Sequence, residues 1–66
     1  MLRFKLLCEG DVIDRRFVSM PAMPLSSTII TVDRRRFRVL QTFMIENVDH
    51  IEIALEPLAL SIPFVS

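Results

Sequence analysis

Apolar side chains recur at every second position through most of this chain, and that period separates a strand from a helix. Ile51, Ile53 and Leu55 alternate with His50, Glu52, Ala54 and Glu56, the pattern of a strand with one dry face and one wet face. Phe37, Val39, Phe43 and Ile45 share one face of the preceding segment, broken only by Gln41, and Arg36, Arg38, Leu40, Thr42 and Met44 occupy the other. Leu2, Phe4, Leu6 and Cys8 alternate with Arg3, Lys5 and Leu7, while Thr28, Ile30 and Val32 line one side of residues 27–32. Residues 12–18 alternate less cleanly and read as an edge or bulged strand. Helical periodicity is weak throughout.

The breaks between these runs have their own chemistry. Gly10, the one glycine, lies in Glu9-Gly10-Asp11 and supplies the positive φ of a hairpin. Met20-Pro21-Ala22-Met23-Pro24 cannot sit inside a sheet, because its prolines lack ladder donors. It is expected to cross between strands, with Met20 and Met23 plugging an open end of the core. Asp33-Arg34 is expected to be a two-residue turn and residues 46–48 a three-residue loop. Pairing around Asp33-Arg34 sets Val32 opposite Arg35, Ile30 opposite Phe37 and Thr28 opposite Val39. Pairing around 46–48 sets Phe43 opposite Ile51, Gln41 opposite Ile53 and Val39 opposite Leu55. Both registers match apolar faces, so residues 27–57 read as a three-stranded meander. With a hairpin over residues 2–19 the expectation is an all-β fold: a small five-stranded SH3-like barrel or a rolled antiparallel sheet.

Residues 1–57 are read as one small domain and 58–66 as an apolar C-terminal tail. Six of those nine tail residues are Leu, Ala, Ile, Phe or Val, so Leu60, Ile62 and Phe64 are expected to close the sheet or to meet another chain. A proline loop, a β-branched strand, a tight turn, RRFRVLQ and then IEIALEP together resemble small uncharacterised bacterial and phage proteins across about residues 21–57. Those proteins carry glycine in the turn where this chain has Arg34. The resemblance implies a compact β-fold and no activity.

A 66-residue fold buries only about 60% of the surface its unfolded chain exposes, so such domains usually need a staple. One cysteine excludes an internal disulfide, and Cys8 with a lone His50 makes no Cys/His metal cluster. Assembly into a homodimer or larger homo-oligomer is the remaining helper, and 52% hydrophobic residues favour it. An unpaired cysteine points to a cytoplasmic address. The apolar tail is far too short to cross a bilayer, so no membrane partner is expected.

Function is constrained mainly by exclusion. One glycine rules out a phosphate-binding loop, Glu9, Asp11 and Asp14 are too sparse for a calcium loop, and no cofactor signature occurs. His50 beside Asp49 lacks a nucleophile and reads as a surface histidine at a strand end. Cys8 reads as a small buried hydrophobe. The chain is therefore expected not to be an enzyme. Net charge is zero, yet residues 1–38 carry +4 and residues 39–66 carry −4. Arg34, Arg35, Arg36 and Arg38 concentrate the positive part. The first reading is a protein-interaction module, an adaptor or inhibitor of the short kind that phages and mobile elements encode, which uses these arginines with Leu60, Ile62 and Phe64. The alternative is a nucleic-acid-binding β-barrel that uses Arg15, Arg16 and the same arginines. A neutral chain without Trp or Tyr weighs against the alternative. Arg38 is expected to pair with Glu56 across the strands, which leaves Arg34 and Arg35 free at the turn.

Overall fold

A computed structural model describes residues 1–58. It is all-β, with β1 (Leu2–Leu7), β2 (Phe17–Met20), β3 (Ile29–Val32), β4 (Arg35–Met44) and β5 (Ile51–Pro57). They form one sheet in the order β2-β1-β5-β4-β3, strongly curled into a half-barrel. The expected small barrel or rolled sheet is thus observed, with one difference. The β1–β5 pair is parallel, whereas the other three pairs are antiparallel. That pair joins the N-terminal hairpin to the meander, a junction about which alternation says nothing.

The β3–β4 hairpin follows the sequence register, with Val32 opposite Arg35 and Ile30 opposite Phe37. Asp33 and Arg34 both adopt positive φ, 52° and 68°, as a two-residue turn matched to the strand twist requires. The β4–β5 pair begins in the expected register, with Arg38 opposite Glu56 and Val39 opposite Leu55. A bulge at Leu40 then slips it by one residue, so that Gln41 faces Ala54, Thr42 faces Ile53 and Phe43 faces Glu52. Phe43 and Ile45 are therefore not core residues, contrary to the alternation. Phe43 lies on the outer face, 38% exposed, and Ile45 leaves the strand. The bulge keeps Gln41 out of the core and puts half-buried Thr42 opposite Ile53. The connection from β4 to β5 spans residues 45–50 rather than the expected three.

The strand expected over residues 12–18 forms only at its end: residues 12–16 lie outside any strand, and β2 begins at Phe17. Residues 8–16 instead make successive turns: Asp11 N–H donates to Cys8 O, Asp14 N–H to Asp11 O, and Arg16 N–H to Ile13 O. The physical reason is local competition. Asp14 accepts the Cys8 N–H at 2.9 Å and Asp11 accepts the Ile13 N–H at 3.1 Å, which removes these donors from any ladder. Gly10 has the positive φ read from the sequence, at 83°.

The core is the concave face: Phe4, Leu6, Cys8, Ile13, Val32, Phe37, Val39, Ile53 and Leu55. Every strand but β2 contributes, and Ile13 enters from the turn-rich loop as a plug at the end where β1, β3 and β5 finish. Val18, Met20, Ile30 and Ile51 pack around it, half-buried. Met20 thus covers core as expected, and Met23 lies against β4, its sulfur 3.7 Å from the Thr42 hydroxyl.

Candidate functional site

The two-residue turn projects an arginine series whose side chains alternate across the sheet. Arg35 follows the inner face of Val32 and Phe37, and Arg36 and Arg38 follow the outer face. Arg35 is not free, contrary to the sequence reading. Its Nη1 donates to Asp11 Oδ1 at 2.9 Å and its Nη2 to Asp11 Oδ2 at 2.7 Å, a forked pair. The guanidinium also lies over the Phe37 ring, 5.0 Å from its centre. Asp11 is only 11% exposed. The Arg35 hydrogen bonds, and after them the Ile13 N–H, hold its carboxyl below the ordinary aspartate range. Beside this clasp Arg16 donates to Asp33. These two ion pairs connect the 8–16 loop to the β3–β4 turn.

Arg38 meets Glu56 at 3.9 Å, as the register predicted. At that separation, with both side chains nearly half exposed, the pair contributes at most about 1 kcal/mol. Arg15 makes a 3.9 Å contact with Asp14. Arg34 and Arg36 make no ion pair with any described residue. The free cations at the turn are thus Arg34 and Arg36, not Arg34 and Arg35. Sequence reasoning missed Asp11 and Asp33 as partners because both lie across the curled sheet from their arginines. The signal available was Asp11 placed two residues before Ile13, an aspartate spaced to bond its own backbone.

At the opposite end a depression of about 170 Å³ is lined by Leu2, Arg3, Met44, Ile45, Val48, Asp49, His50 and Ile51. It is smaller than the roughly 300–1,000 Å³ of small-molecule pockets. His50 Nδ1 lies 3.6 Å from Asp49 Oδ1, beyond hydrogen-bond reach, and its ring meets Phe17 edge-on at 5.2 Å. Arg3 stacks on the other side of this cluster, 4.3 Å from the Phe17 ring centre and 3.4 Å from Asp49. No serine or cysteine lines the depression. The arrangement packs His50 but gives it nothing to activate.

Cys8 is buried at 3% exposure, and burial, followed by the Asp11 charge, pushes its thiol up. A raised thiol is a poor nucleophile. Among the described residues no cluster of three or more His, Cys, Asp or Glu side chains is placed to hold a metal ion, and no helix is long and apolar enough to cross a membrane. Of the other residues singled out by sequence, Leu60, Ile62 and Phe64 lie outside the described residues. Comparisons with models of protein families, with curated proteins and with solved structures find no match for this chain.

Proposed function

We propose that this chain is a non-enzymatic protein-interaction module, an adaptor or inhibitor that binds a protein partner or a second copy of itself. One observation carries the reading: among the described residues, twelve large apolar side chains are exposed against nine buried core residues. Exposed apolar side chains that gather in one patch, rather than standing singly, are the usual mark of a partner surface. Several of them gather at the β4–β5 end, where Met44 is 78% exposed and Leu2, Ile45 and Val48 surround the shallow depression. A depression of that volume accommodates a side chain rather than a metabolite.

Light scattering over a concentration series, run alongside affinity capture from the native host, tests the proposal. Self-association, or a captured protein whose binding is weakened by Met44→Asp or Val48→Asp, supports it. A strictly monomeric protein at about tens of micromolar that also captures nothing refutes it.

A second reading, nucleic-acid binding, keeps one favourable observation: Arg34 and Arg36 are exposed without described ion-pair partners. Two phosphate contacts give an affinity that falls with salt at a logarithmic slope of about −1.8. Fluorescence anisotropy with DNA and RNA reads this directly. Binding lost in the Arg34→Ala/Arg36→Ala double variant supports the second reading, and no binding at low salt removes it.

A further inference from the structure

Among the described residues the curled sheet ends in two strands, β2 and β3, that each have a neighbour on one side only. Their unused backbone groups follow from the hydrogen-bond alternation of antiparallel pairs. A two-residue turn makes Val32 and Arg35 a hydrogen-bonded pair. Ile30 and Phe37 are therefore the next such pair, and the Val39 N–H donates to Thr28 O. Ile29 and Thr31 must then turn their N–H and C=O groups away from β4. On β2 the Leu6 N–H donates to Arg16 O, so Val18 and Met20 bond to β1, and Phe17 and Ser19 turn outward.

These two edges border one seam. Arg16, just before β2, donates to Asp33, just after β3, so an arginine and an aspartate side chain together span the seam at that end. Yet no Cα atom of β2 lies within 8 Å of one in β3, so the edges are too far apart to pair. A strand inserted to pair with both edges needs them two strand spacings, roughly 9.5 Å, apart, and the absence of any Cα pair within 8 Å leaves room for that. Neither edge strand carries lysine, proline or a bulge of the sort that usually blunts an open edge.

The side chains along the seam specify the occupant. Toward the interior, Val18, Met20 and Ile30 are half-buried around the core, so inward positions of an added strand must be apolar. Toward solvent, small Ser19 and Thr31 separate the seam from a basic residue on each side. Arg3 and Lys5 stand beside β2, opposite Ser19 and Phe17, and Arg36 and Arg38 stand beside β3, opposite Thr31 and Ile29. Of these, Lys5 and Arg36 make no ion pair with a described residue, so an outward carboxylate on an added strand has one such cation on each side. We propose that the β2–β3 seam is a strand acceptor for an extended segment of a partner protein in which apolar residues alternate with Asp or Glu. The inference rests on the interaction-module reading and gives it a site and a ligand chemistry.

The test uses the full chain labelled for NMR and two synthetic octapeptides, one alternating valine with glutamate and one alternating valine with lysine. The expected result is slower amide exchange at Phe17, Ser19, Ile29 and Thr31 on adding the glutamate peptide. The lysine peptide, and the glutamate peptide against Lys5→Glu/Arg36→Glu protein, are expected to bind at least about tenfold more weakly. Thr31→Pro removes an N–H that β4 does not use, so the variant is expected to fold and to lose binding. If the glutamate peptide leaves the four amides unchanged at millimolar concentration (about 1 mM, the weakest affinity worth assigning), the seam assignment is overturned. Peptide binding that maps to Met44 and Val48 overturns the seam but leaves the interaction module standing. Four amides already protected without peptide overturn the partner assignment. Protection lost on truncation after Leu58 would then assign the seam to this chain's own residues 59–66, and protection rising with protein concentration would assign it to a second copy.

Discussion

Ile13→Ala tests the central claim about the loop of residues 8–16, that one side chain anchors it as a plug in the half-barrel. Ile13 has no exposed surface, whereas its neighbour Val12 is 82% exposed. The substitution removes three carbons, and at about 0.8 kcal/mol per buried carbon the transfer loss is about 2.4 kcal/mol. The cavity left behind raises the cost within the 2–5 kcal/mol range of such truncations. A domain of 66 residues has about 3–10 kcal/mol of stability in all, so the variant is expected to lose a large part of it. Urea unfolding followed by circular dichroism should show the midpoint falling by about 2 M, given a slope of about 1 kcal/mol per molar. The melting temperature should drop by at least about 10–20 °C. Val12→Ala is the paired control, with an expected change within about 0.5 kcal/mol. Equal losses in the two variants, or a larger loss for Val12→Ala, would refute the reasoning. Residues 12–16 would then behave as the edge or bulged strand that the turns exclude.

Four further outcomes follow from the same geometry. Asp11 has its carboxyl held low in the folded state, so the unfolded state binds the proton more readily between the two values. The stabilisation it gives is complete above the ordinary carboxyl range and disappears as pH falls through the lowered folded value; Asp11→Asn should flatten that part of an acid-unfolding curve relative to the unmodified protein. Arg34 occupies the left-handed region at φ 68° without a described ion-pair partner. Arg34→Gly should therefore stabilise the hairpin by about 0.5–1 kcal/mol, read as a higher urea midpoint. Cys8, buried and with its thiol pushed up, should react with a thiol reagent only at the rate of opening of the native state, and fast labelling of the folded protein would contradict its placement. Thr42→Val should be neutral or stabilising because Thr42 faces Ile53 on the inner side; a loss above about 1 kcal/mol would argue against the slipped register.

The reliability of alternation as a guide depended on where each strand's neighbours came from. In the β3–β4 hairpin a two-residue turn fixes the register locally, so Val32 opposite Arg35 could be derived on paper and is found. In β4 the pattern placed Gln41 on the apolar face, and that single misfit marked the point where the strand departs from regular pairing. The bulge at Leu40 moves Gln41 outward, at the cost of exposing Phe43. A misplaced glutamine shows that a strand must adjust, but not whether it bulges, ends or buries an amide with a partner.

The candidate site divides along the same line. Sequence established that arginines crowd the turn and that Arg38 and Glu56 share the outer face, because both facts depend on residues a few positions from a turn. It could not establish that Arg35 points inward onto Phe37 and grips Asp11, or that Arg16 reaches Asp33. Those pairs join segments separated by 24 and 17 residues and depend on how far the sheet curls, which is set by twist summed over five strands. By itself, the sequence determined the strand content, the core faces of β1 and β5 and the tight turn, all of which follow from period and local stereochemistry. Tertiary structure alone decided the parallel β1–β5 junction, the conversion of residues 8–16 into a plug and the ion pairs that tie that loop to the β3–β4 turn. Those features arise from curling one sheet into a half-barrel, which no local spacing records.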